Sequence, residues 1–221
     1  GGTAPGFDPA PLAPGKPNSL SVSRIVIHLT SSSRAPPPAP TPSTPASPTR
    51  SPANVERLTL TGSAALDGSG NTLANRLTGN NGANLLQGLG GNDTLRGGGN
   101  DTLVGGAGND ELSGATGADG FLFATALNAA TNVDSLTDFN RTADFIHLDD
   151  AVFTAIGATG ALAAGAFRAG TAAAEADDRI VYDQASGSLY YDADGNGAGA
   201  QVLFAQLTPG TGLGADDIVV V

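Results

Sequence analysis

Residues 70–122 decide the fold, because they repeat a nine-residue pattern: GNTLANRLT, GNNGANLLQ, GLGGNDTLR, GGGNDTLV, GGAGNDELS and GATGADGFL. The shared pattern is G-G-x-G-x-D-x-U-x, where U is a large apolar residue. The U position is filled by Leu77, Leu86, Leu95, Leu103, Leu112 and Phe121. The sixth position is filled by Asn75, Asn84, Asp93, Asp101, Asp110 and Asp119. A period this short predicts a solenoid of stacked turns and short strands.

Each repeat divides into a six-residue turn and a three-residue strand, x-U-x. Side chains alternate along a strand, so U points to one face and its neighbours point to the other. The U residues are therefore predicted to form the core of the stack. Their burial contributes roughly 1.5–3 kcal/mol each. That is far less than the conformational entropy of ordering about fifty residues. A further stabilising interaction is needed.

The turns provide that interaction through oxygen atoms. Glycines allow backbone angles that direct carbonyl oxygens inward, and the sixth position adds a carboxylate. An all-oxygen set suits Ca²⁺ and is poor for zinc or copper. Two repeats make one coil, which pairs Asp101 with Asp119 and, because the fourth repeat lacks one residue, Asp93 with Asp110. Two carboxylates about 4 Å apart repel by roughly 4 kcal/mol at an effective dielectric of about 20. The segment is predicted to be loose without calcium and folded with it.

These repeats resemble those of the RTX (repeats-in-toxin) family of secreted bacterial proteins. The resemblance implies a calcium-binding parallel β-roll whose ligands are the side chains and turn carbonyls of Asp93, Asp101, Asp110, Asp119, Asn84, Gly91, Gly99, Gly108 and Gly117. The first repeat departs from the pattern, since Leu73 replaces the turn glycine and Asn75 the aspartate, and it is predicted to cap the stack. Asn84 in the second repeat is a neutral and weaker ligand.

The predicted fold class is all-β: a parallel β-roll of nonapeptide repeats, then a β-rich C-terminal cap, with a disordered Pro-rich N-terminal segment. Residues 1–53 are predicted to be an irregular linker rich in Pro, Ser and Thr from residue 35 onward, with a short candidate strand at 23–29. A ligand for SH3-type domains is the alternative for the proline run. Residues 54–69 alternate at Leu58 and Leu60 and are predicted to form the N-terminal capping strand.

Residues 123–221 are predicted to form a C-terminal β domain. The phrases NVDSLTDF (132–139), ADFIHLDDAVF (143–153) and GSLYYDADGNGAGA (187–200) resemble the C-terminal region of serralysin-type proteins, which continues and caps the roll. Two alternating runs at 179–182 and 188–191 predict a hairpin, with further strands at 201–207 and 218–221. The acidic and then apolar ending, 216–221, resembles the C-terminal signal of type I secretion substrates. A last strand of the domain is the alternative, and both can hold.

Two other acidic groups are candidate calcium sites. Asp192, Asp194 and Asn196 occupy the first positions of an EF-hand loop, but the twelfth position is Leu203, which favours a plain turn between strands. The second group is Asp134, Asp138 and Asp144, where the RTX resemblance allows a further ion and solvated acids in turns are the alternative. His147 lies in an alternating run and is predicted to be structural.

Composition excludes several classes of function. The chain has 21 acidic against 10 basic residues, a net charge of −11, which argues against nucleic acid or an anionic membrane surface as a partner. No apolar run is long enough for a transmembrane segment. The chain has no cysteine, so calcium is predicted to stabilise the fold in place of disulfides. It also has no methionine, which indicates a fragment or processed form. H-E-x-x-H and G-x-S-x-G motifs are absent, so no active site is recognised.

The sequence therefore predicts the calcium-folded C-terminal module of an extracellular bacterial protein, a partner of the type I secretion machinery through its C-terminus. One alternative is the tail of a secreted metalloprotease or lipase whose catalytic domain lies upstream. The other is an adhesin or surface-layer component in which the roll is a structural spacer.

Overall fold

The structure is a computed structural model that describes residues 49–50, by their backbone only, and residues 56–221. The candidate strand at 23–29 and nearly all of the predicted linker lie outside the described residues. The strands of the described part are β1 (Thr49–Arg50), β2 (Arg57–Thr59), β3 (Gly68–Ser69), β4 (Arg76–Thr78), β5 (Leu85–Gly90), β6 (Thr94–Arg96), β7 (Thr102–Ala107), β8 (Glu111–Ser113), β9 (Gly120–Phe123), β10 (Asp134–Leu136), β11 (Phe145–Leu148), β12 (Gly160–Ala161), β13 (Phe167–Ala169), β14 (Ile180–Asp183), β15 (Ser188–Tyr191), β16 (Val202–Leu207) and β17 (Ile218–Val220).

Successive strands of the repeats enter two sheets in turn, as a roll requires. The first sheet has the strand order β1-β3-β5-β7-β9-β11-β17-β12, and the second has β13-β14-β15-β16-β10-β8-β6-β4-β2. Every pairing from β2 to β11 joins parallel strands. The described helices are two short 3₁₀ turns, Ala164–Ala166 and Ala215–Asp217. The predicted all-β class and the parallel β-roll are confirmed.

The register of both sheets keeps one apolar residue of each strand inside. In the first sheet Leu86 pairs with Leu103, Leu103 with Phe121, Phe121 with Ile146 and Ile146 with Ile218. In the second sheet the inward row is Leu58, Leu77, Leu95, Leu112, Leu136 and Leu207. All of these side chains are at most 1% exposed. The core predicted from the repeats alone is too short, because strands outside the repeats extend both rows.

The coils lengthen after the repeats end. Within the repeats, equivalent turn residues lie 17 or 18 positions apart, whereas the next two coils take 24 and 25. The extra residues enlarge the turns before β10 and β11, and the strands keep their register. The roll therefore runs past residue 122 into the region predicted as the C-terminal domain.

The C-terminal strands attach to both sheets. The predicted hairpin is confirmed, since β14 and β15 pair antiparallel, and β16 follows β15 antiparallel and joins β10 in parallel. Strand β17 lies between β11 and β12. Phe204 packs edge-on against Phe123 and Phe153, with ring centroids 5.0 and 5.1 Å apart. These aromatic contacts join the C-terminal strands to the end of the roll.

The N-terminal side differs in detail from the expectation. The capping region contains two strands, β2 and β3, where the alternation predicted one. Thr49–Arg50, placed in the linker by composition, pairs in parallel with β3. That pairing joins segments about twenty residues apart, so no local pattern predicts it.

No helix among the described residues is long and apolar enough to span a membrane.

Candidate calcium site

The sixth-position side chains stack into two columns, one on each side of the roll. We call Asn75, Asp93, Asp110 and Asp134 the first column, and Asn84, Asp101, Asp119 and Asp144 the second column. In each column the backbone N–H of one member donates to Oδ1 of the next. The N···Oδ1 distances are 2.6, 2.7 and 3.1 Å in the first column and 2.8, 2.8 and 3.0 Å in the second. The predicted pairs Asp93–Asp110 and Asp101–Asp119 are therefore neighbours.

Local sequence explains why these carboxylates point inward. Each lies two residues before an inward apolar side chain, as Asp93 does before Leu95, so it has the same facing as the core row. The glycine that opens each repeat leaves room beside it. A Cβ added at Gly97 would contact Oδ2 of Asp101 and lie 2.7 Å from the carbonyl oxygen of Gly114. The side-chain space that glycine leaves is thus bordered by a carboxylate oxygen and by a carbonyl oxygen of the adjacent turn.

The four glycines that were predicted as calcium ligands lie where successive turns stack closely. Gly108 has φ +142° and Gly117 has φ +136°, a backbone region that glycine favours. A Cβ at Gly108 would clash with the carbonyl oxygen of Gly91, and one at Gly117 with that of Gly99. The carbonyl groups of Gly91 and Gly99 therefore lie between successive turns, that of Gly91 against Gly108 on one side and that of Gly99 against Gly117 on the other.

Both columns are buried without a compensating cationic side chain. Their members are between 2% and 5% exposed. Within the described residues the only salt bridges join Arg141 to Asp216 and Asp217, at 3.5 Å each. Oδ2 of Asp93 and Oδ2 of Asp110 are buried and have no hydrogen-bond partner. A buried carboxylate oxygen without a donor or counter-charge is costly, so a cation fits here.

Burial raises the pKa values of most of the column carboxyl groups, as expected for acids that are removed from water without a counter-charge. Loss of solvent raises the pKa of Asp93 to about 7 and that of Asp134 to about 8, and in each case the neighbouring Asp110 charge raises it further. Burial likewise raises the pKa of Asp119 to about 6 and the pKa values of Asp110 and Asp144. Each column therefore holds groups that favour a proton or a metal ion over free ionisation.

The donor chemistry selects among metals. The atoms facing these spaces are carboxylate and backbone carbonyl oxygens, which hard Ca²⁺ prefers. No group of three or more His, Cys, Asp or Glu side chains converges within the described residues. An ion here would thus depend on carbonyl oxygens as much as on side chains, and softer metals that need imidazole or thiolate do not fit.

Sequence reasoning named Asp134 and Asp144 as candidate calcium ligands but did not assign them to the columns. Asp134 and Asp144 were grouped with Asp138, but the structure places them in different columns. Asp138 accepts hydrogen bonds from Ser113 Oγ at 2.6 Å and from the backbone N–H groups of Gly114 and Ala115 at 3.0 Å each. A usable signal existed, because Asp134 and Asp144 each stand two residues before an inward residue, as Asp93 does.

The other candidates do not join the columns. Asp192 Oδ1 accepts from the Asp194 N–H at 3.3 Å, and Asp194 Oδ2 accepts from the Gly199 N–H at 2.9 Å. Leu203, at the twelfth position of that loop, lies within β16. The loop is therefore closed by its own hydrogen bonds. His147 lies on β11 against Gly120, and burial lowers its pKa.

Fold and site together define a calcium-binding parallel β-roll. Residues 69–99 and 97–121 match the family described as the RTX calcium-binding nonapeptide repeat, in 4 copies. Residues 69–121 thus carry calcium-binding RTX repeats, and they lie within a parallel β-roll.

Two of the solved structures that are similar to this chain are subunits of one epimerase. The solution structure of the AlgE6R2 subunit of the Azotobacter vinelandii mannuronan C5-epimerase is 25% identical, covers 71% of this chain and 92% of its own, and gives a TM-score of 0.45. The AlgE6R3 subunit of that epimerase is 29% identical, covers 72% of this chain and 80% of its own, and gives a TM-score of 0.31. No curated protein matches this sequence.

Proposed function

We propose that this chain is the calcium-folded C-terminal module of an extracellular bacterial protein exported by type I secretion. The observation that carries the proposal is the buried, unpartnered Oδ2 atoms of Asp93 and Asp110. Such atoms oppose folding when no cation is bound, so the roll forms where calcium is plentiful. Extracellular calcium modules bind at about 10⁻⁴–10⁻³ M, well above the calcium level of a cytosol.

The proposed ligands are Asp93, Asp101, Asp110 and Asp119, with Asn84 as a neutral member and carbonyl groups of Gly91, Gly99, Gly108 and Gly117. Calcium would supply positive charge that lets adjacent carboxylates approach. The chain supplies the rest of the geometry. Oδ1 of each of the four aspartates is held by a backbone N–H of the neighbouring coil, which leaves Oδ2 directed into its own turn. Ordering one turn in this way aligns the next one.

The proposed export route rests on the segment at 216–221. Its apolar residues Ile218 and Val220 are buried in β17, between β11 and β12. A secretion machinery could read this segment only in the unfolded chain. Residues 216–221 would then serve as a signal in the unfolded chain before export and as strand β17 in the folded chain afterwards. Calcium-dependent folding outside the cell would keep the chain unfolded until it has been exported.

We further propose that this chain binds calcium and does not catalyse a reaction. The absence of H-E-x-x-H and G-x-S-x-G motifs from the sequence supports this. Two classes of full-length protein are compatible with this module: a secreted metalloprotease or lipase, and an adhesin or surface-layer component. Either catalytic motif in the full-length gene would favour the enzyme. Repeated β domains upstream, with calcium-dependent self-association, would favour the adhesin.

The folding proposal is tested by far-ultraviolet circular dichroism during a calcium titration of the chelated chain, with magnesium as control. We expect a cooperative gain of β signal with calcium and little with magnesium. A full β signal in chelator that calcium leaves unchanged would overturn the folding switch. The leucine rows and the C-terminal strands would then be sufficient to hold the roll.

A further inference from the structure

The outer face of the first sheet is apolar, whereas that of the second sheet is polar. On β5, β7, β9, β11 and β17 the inward residues belong to the buried core row, so the residues beside them point outward. These outward residues include Leu85, Val104, Leu122, Phe145, His147 and Val219. The outward positions of β2, β4, β6 and β8 hold arginine, threonine, glutamate and serine.

The apolar side chains adjoin across the strands of the first sheet. Leu122 pairs with His147, and His147 pairs with Val219. Phe145 is opposite Gly120 and is 43% exposed. Burial lowers the pKa of His147, so its ring is neutral at pH 7, and the outward residues of these five strands include no Asp, Glu, Lys or Arg. An uncharged, contiguous sheet face of this kind is suited to an apolar partner.

A segment of matching pattern lies in the chain itself. Residues 23–29, SRIVIHL, lie outside the described residues, and their sequence alternates. In an extended segment three large apolar side chains share one side, those of Ile25, Ile27 and Leu29. They span about 13 Å at about 3.3 Å per residue. The outward row from β7 to β17 covers three strand spacings of about 4.8 Å, or about 14 Å.

The connection to the roll is long enough for this segment to reach the face. Thr49–Arg50 forms β1, at the edge of the same sheet. From β1 to β11 the strand order makes five steps, about 24 Å in all. Residues 30–48 can span at most about 65 Å, at about 3.4 Å per residue. Attachment to the same chain also gives the segment an effective concentration in about the millimolar range.

We propose that residues 23–29 dock on the outer face of the first sheet, with their three alternating apolar side chains against Val104, Leu122 and Phe145. The polar side of the segment then points to solvent. The segment covers the face in preference to a second copy of the chain, because it is present at high effective concentration however dilute the protein is. Docking also shields an apolar surface that otherwise favours association between copies.

Disulfide trapping tests the position of the segment, and the absence of cysteine from the chain makes it selective. Ile27→Cys is combined with Val104→Cys, on the proposed face, or with Thr78→Cys, at an outward position of β4 on the second sheet. Both full-length chains are oxidised in saturating calcium, after circular dichroism shows the β signal of the wild type. The intramolecular disulfide should form at least about tenfold faster with Val104→Cys than with Thr78→Cys.

Two results of the trapping experiment would overturn the proposal. Equal rates for the two pairs would show that the segment has no preferred position on the roll. Disulfide-linked dimers in place of cross-linked monomers would show that a second copy occupies the face.

A matched pair of single substitutions tests which side of the segment makes the contact. Ile27→Ser removes one of the alternating side chains, and Val26→Ser changes the neighbouring residue on the opposite side. In ¹³C methyl NMR spectra of the calcium-bound chain, Ile27→Ser should shift the resonances of Val104 and Leu122, and Val26→Ser should leave them in place. Unchanged resonances in both variants, or equal shifts in both, would rule out docking through the alternating apolar side.

Discussion

Asn75 and Asn84 occupy the same turn position as Asp93 and Asp110. The amide side chains of the two asparagines, however, form hydrogen bonds that the carboxylates of the two aspartates do not. Asn84 Oδ1 accepts from the Asn80 N–H at 2.9 Å, and Asn84 Nδ2 donates to Asn80 Oδ1 at 3.2 Å. Asn75 makes the equivalent pair with Asn71, at 2.6 and 3.4 Å. Asp93 and Asp110 have Oδ2 atoms with no partner. The first two turns are thus closed by amide groups, and the later first-column turns are left open to a cation.

The same backbone turn can therefore be completed in two ways. An amide carries its own donor and no charge, so it completes the turn at any calcium concentration. A carboxylate in the same place is acceptor-only, and burial makes its charge costly. The amino-terminal turns are therefore suited to a scaffold that is independent of calcium, and the turns of Asp93 and Asp110 to one that depends on it. Four predictions test this difference between amide and carboxylate turns.

The largest effect is expected from removing an open carboxylate in the middle of the first column. Asp110→Ala removes the acceptor for the Asp93 N–H and the partner of Asp134. Loss of a buried charged group with its contacts costs about 3 kcal/mol or more. The calcium concentration for half-maximal folding should rise at least about tenfold, measured by circular dichroism. Glu111→Ala, at the adjacent exposed position, is the control, and equal shifts for both would contradict the role of the column.

The second effect concerns pH in the absence of calcium. Because the pKa values of Asp93 and Asp134 are raised to about 7 and about 8, ionisation opposes folding. The contribution is favourable near the unfolded value of about 4 and is lost as pH rises through the folded values. In chelator we expect the β signal in circular dichroism to fall as the pH rises from about 5 to about 8, because ionisation of these carboxyl groups unfolds the calcium-free roll. Saturating calcium should abolish this fall, and a flat profile in chelator would argue against buried open acids.

A smaller effect should follow from converting an amide turn into an open one. Asn84→Asp replaces the Nδ2 donor with a charged acceptor facing Asn80 Oδ1. At a calcium concentration just sufficient to fold the wild-type chain, the free energy of unfolding should drop by about 2 kcal/mol, because the new carboxylate oxygen lacks a donor and faces Asn80 Oδ1, which keeps only the Gly82 N–H. Calcium should restore most of the loss. Asn81→Asp adds the same charge at an exposed position of the same turn and should change little. If both variants behave alike in urea titrations, the amide pair does not close the turn.

The smallest effect concerns the turn backbone. Leu89 has φ +78° although it is not glycine and is 41% exposed. Leu89→Gly should relieve about 1 kcal/mol of backbone strain, partly offset by greater freedom of the unfolded chain. Thermal unfolding should shift upward by a few degrees. Leu73→Gly, at an equally exposed leucine without positive φ, should not stabilise the chain, and a gain there would exclude strain as the cause.

The repeats made most of the roll predictable, because spacing and facing within them are local properties. Leu95 and Asp93 could be placed from their offsets alone. Asp134 and Asp144 could not, since coils of 24 and 25 residues break the period that identifies the other members. The role of Asn84 was also hidden, because its partner Asn80 occupies a glycine position of the pattern. Pairing of Thr49–Arg50 with β3 depends on distant parts of the chain, which local propensity does not record.

The position of β17 has a consequence for folding kinetics. Ile146 on β11 is opposite Ile218 on β17, so the first sheet joins residues 72 positions apart. Loop closure over such a distance is slow compared with the contacts of adjacent coils. Folding should therefore begin within the repeats and end with the insertion of β17. A stopped-flow experiment started by calcium would then show a fast phase from the roll and a slower one from the closing strand.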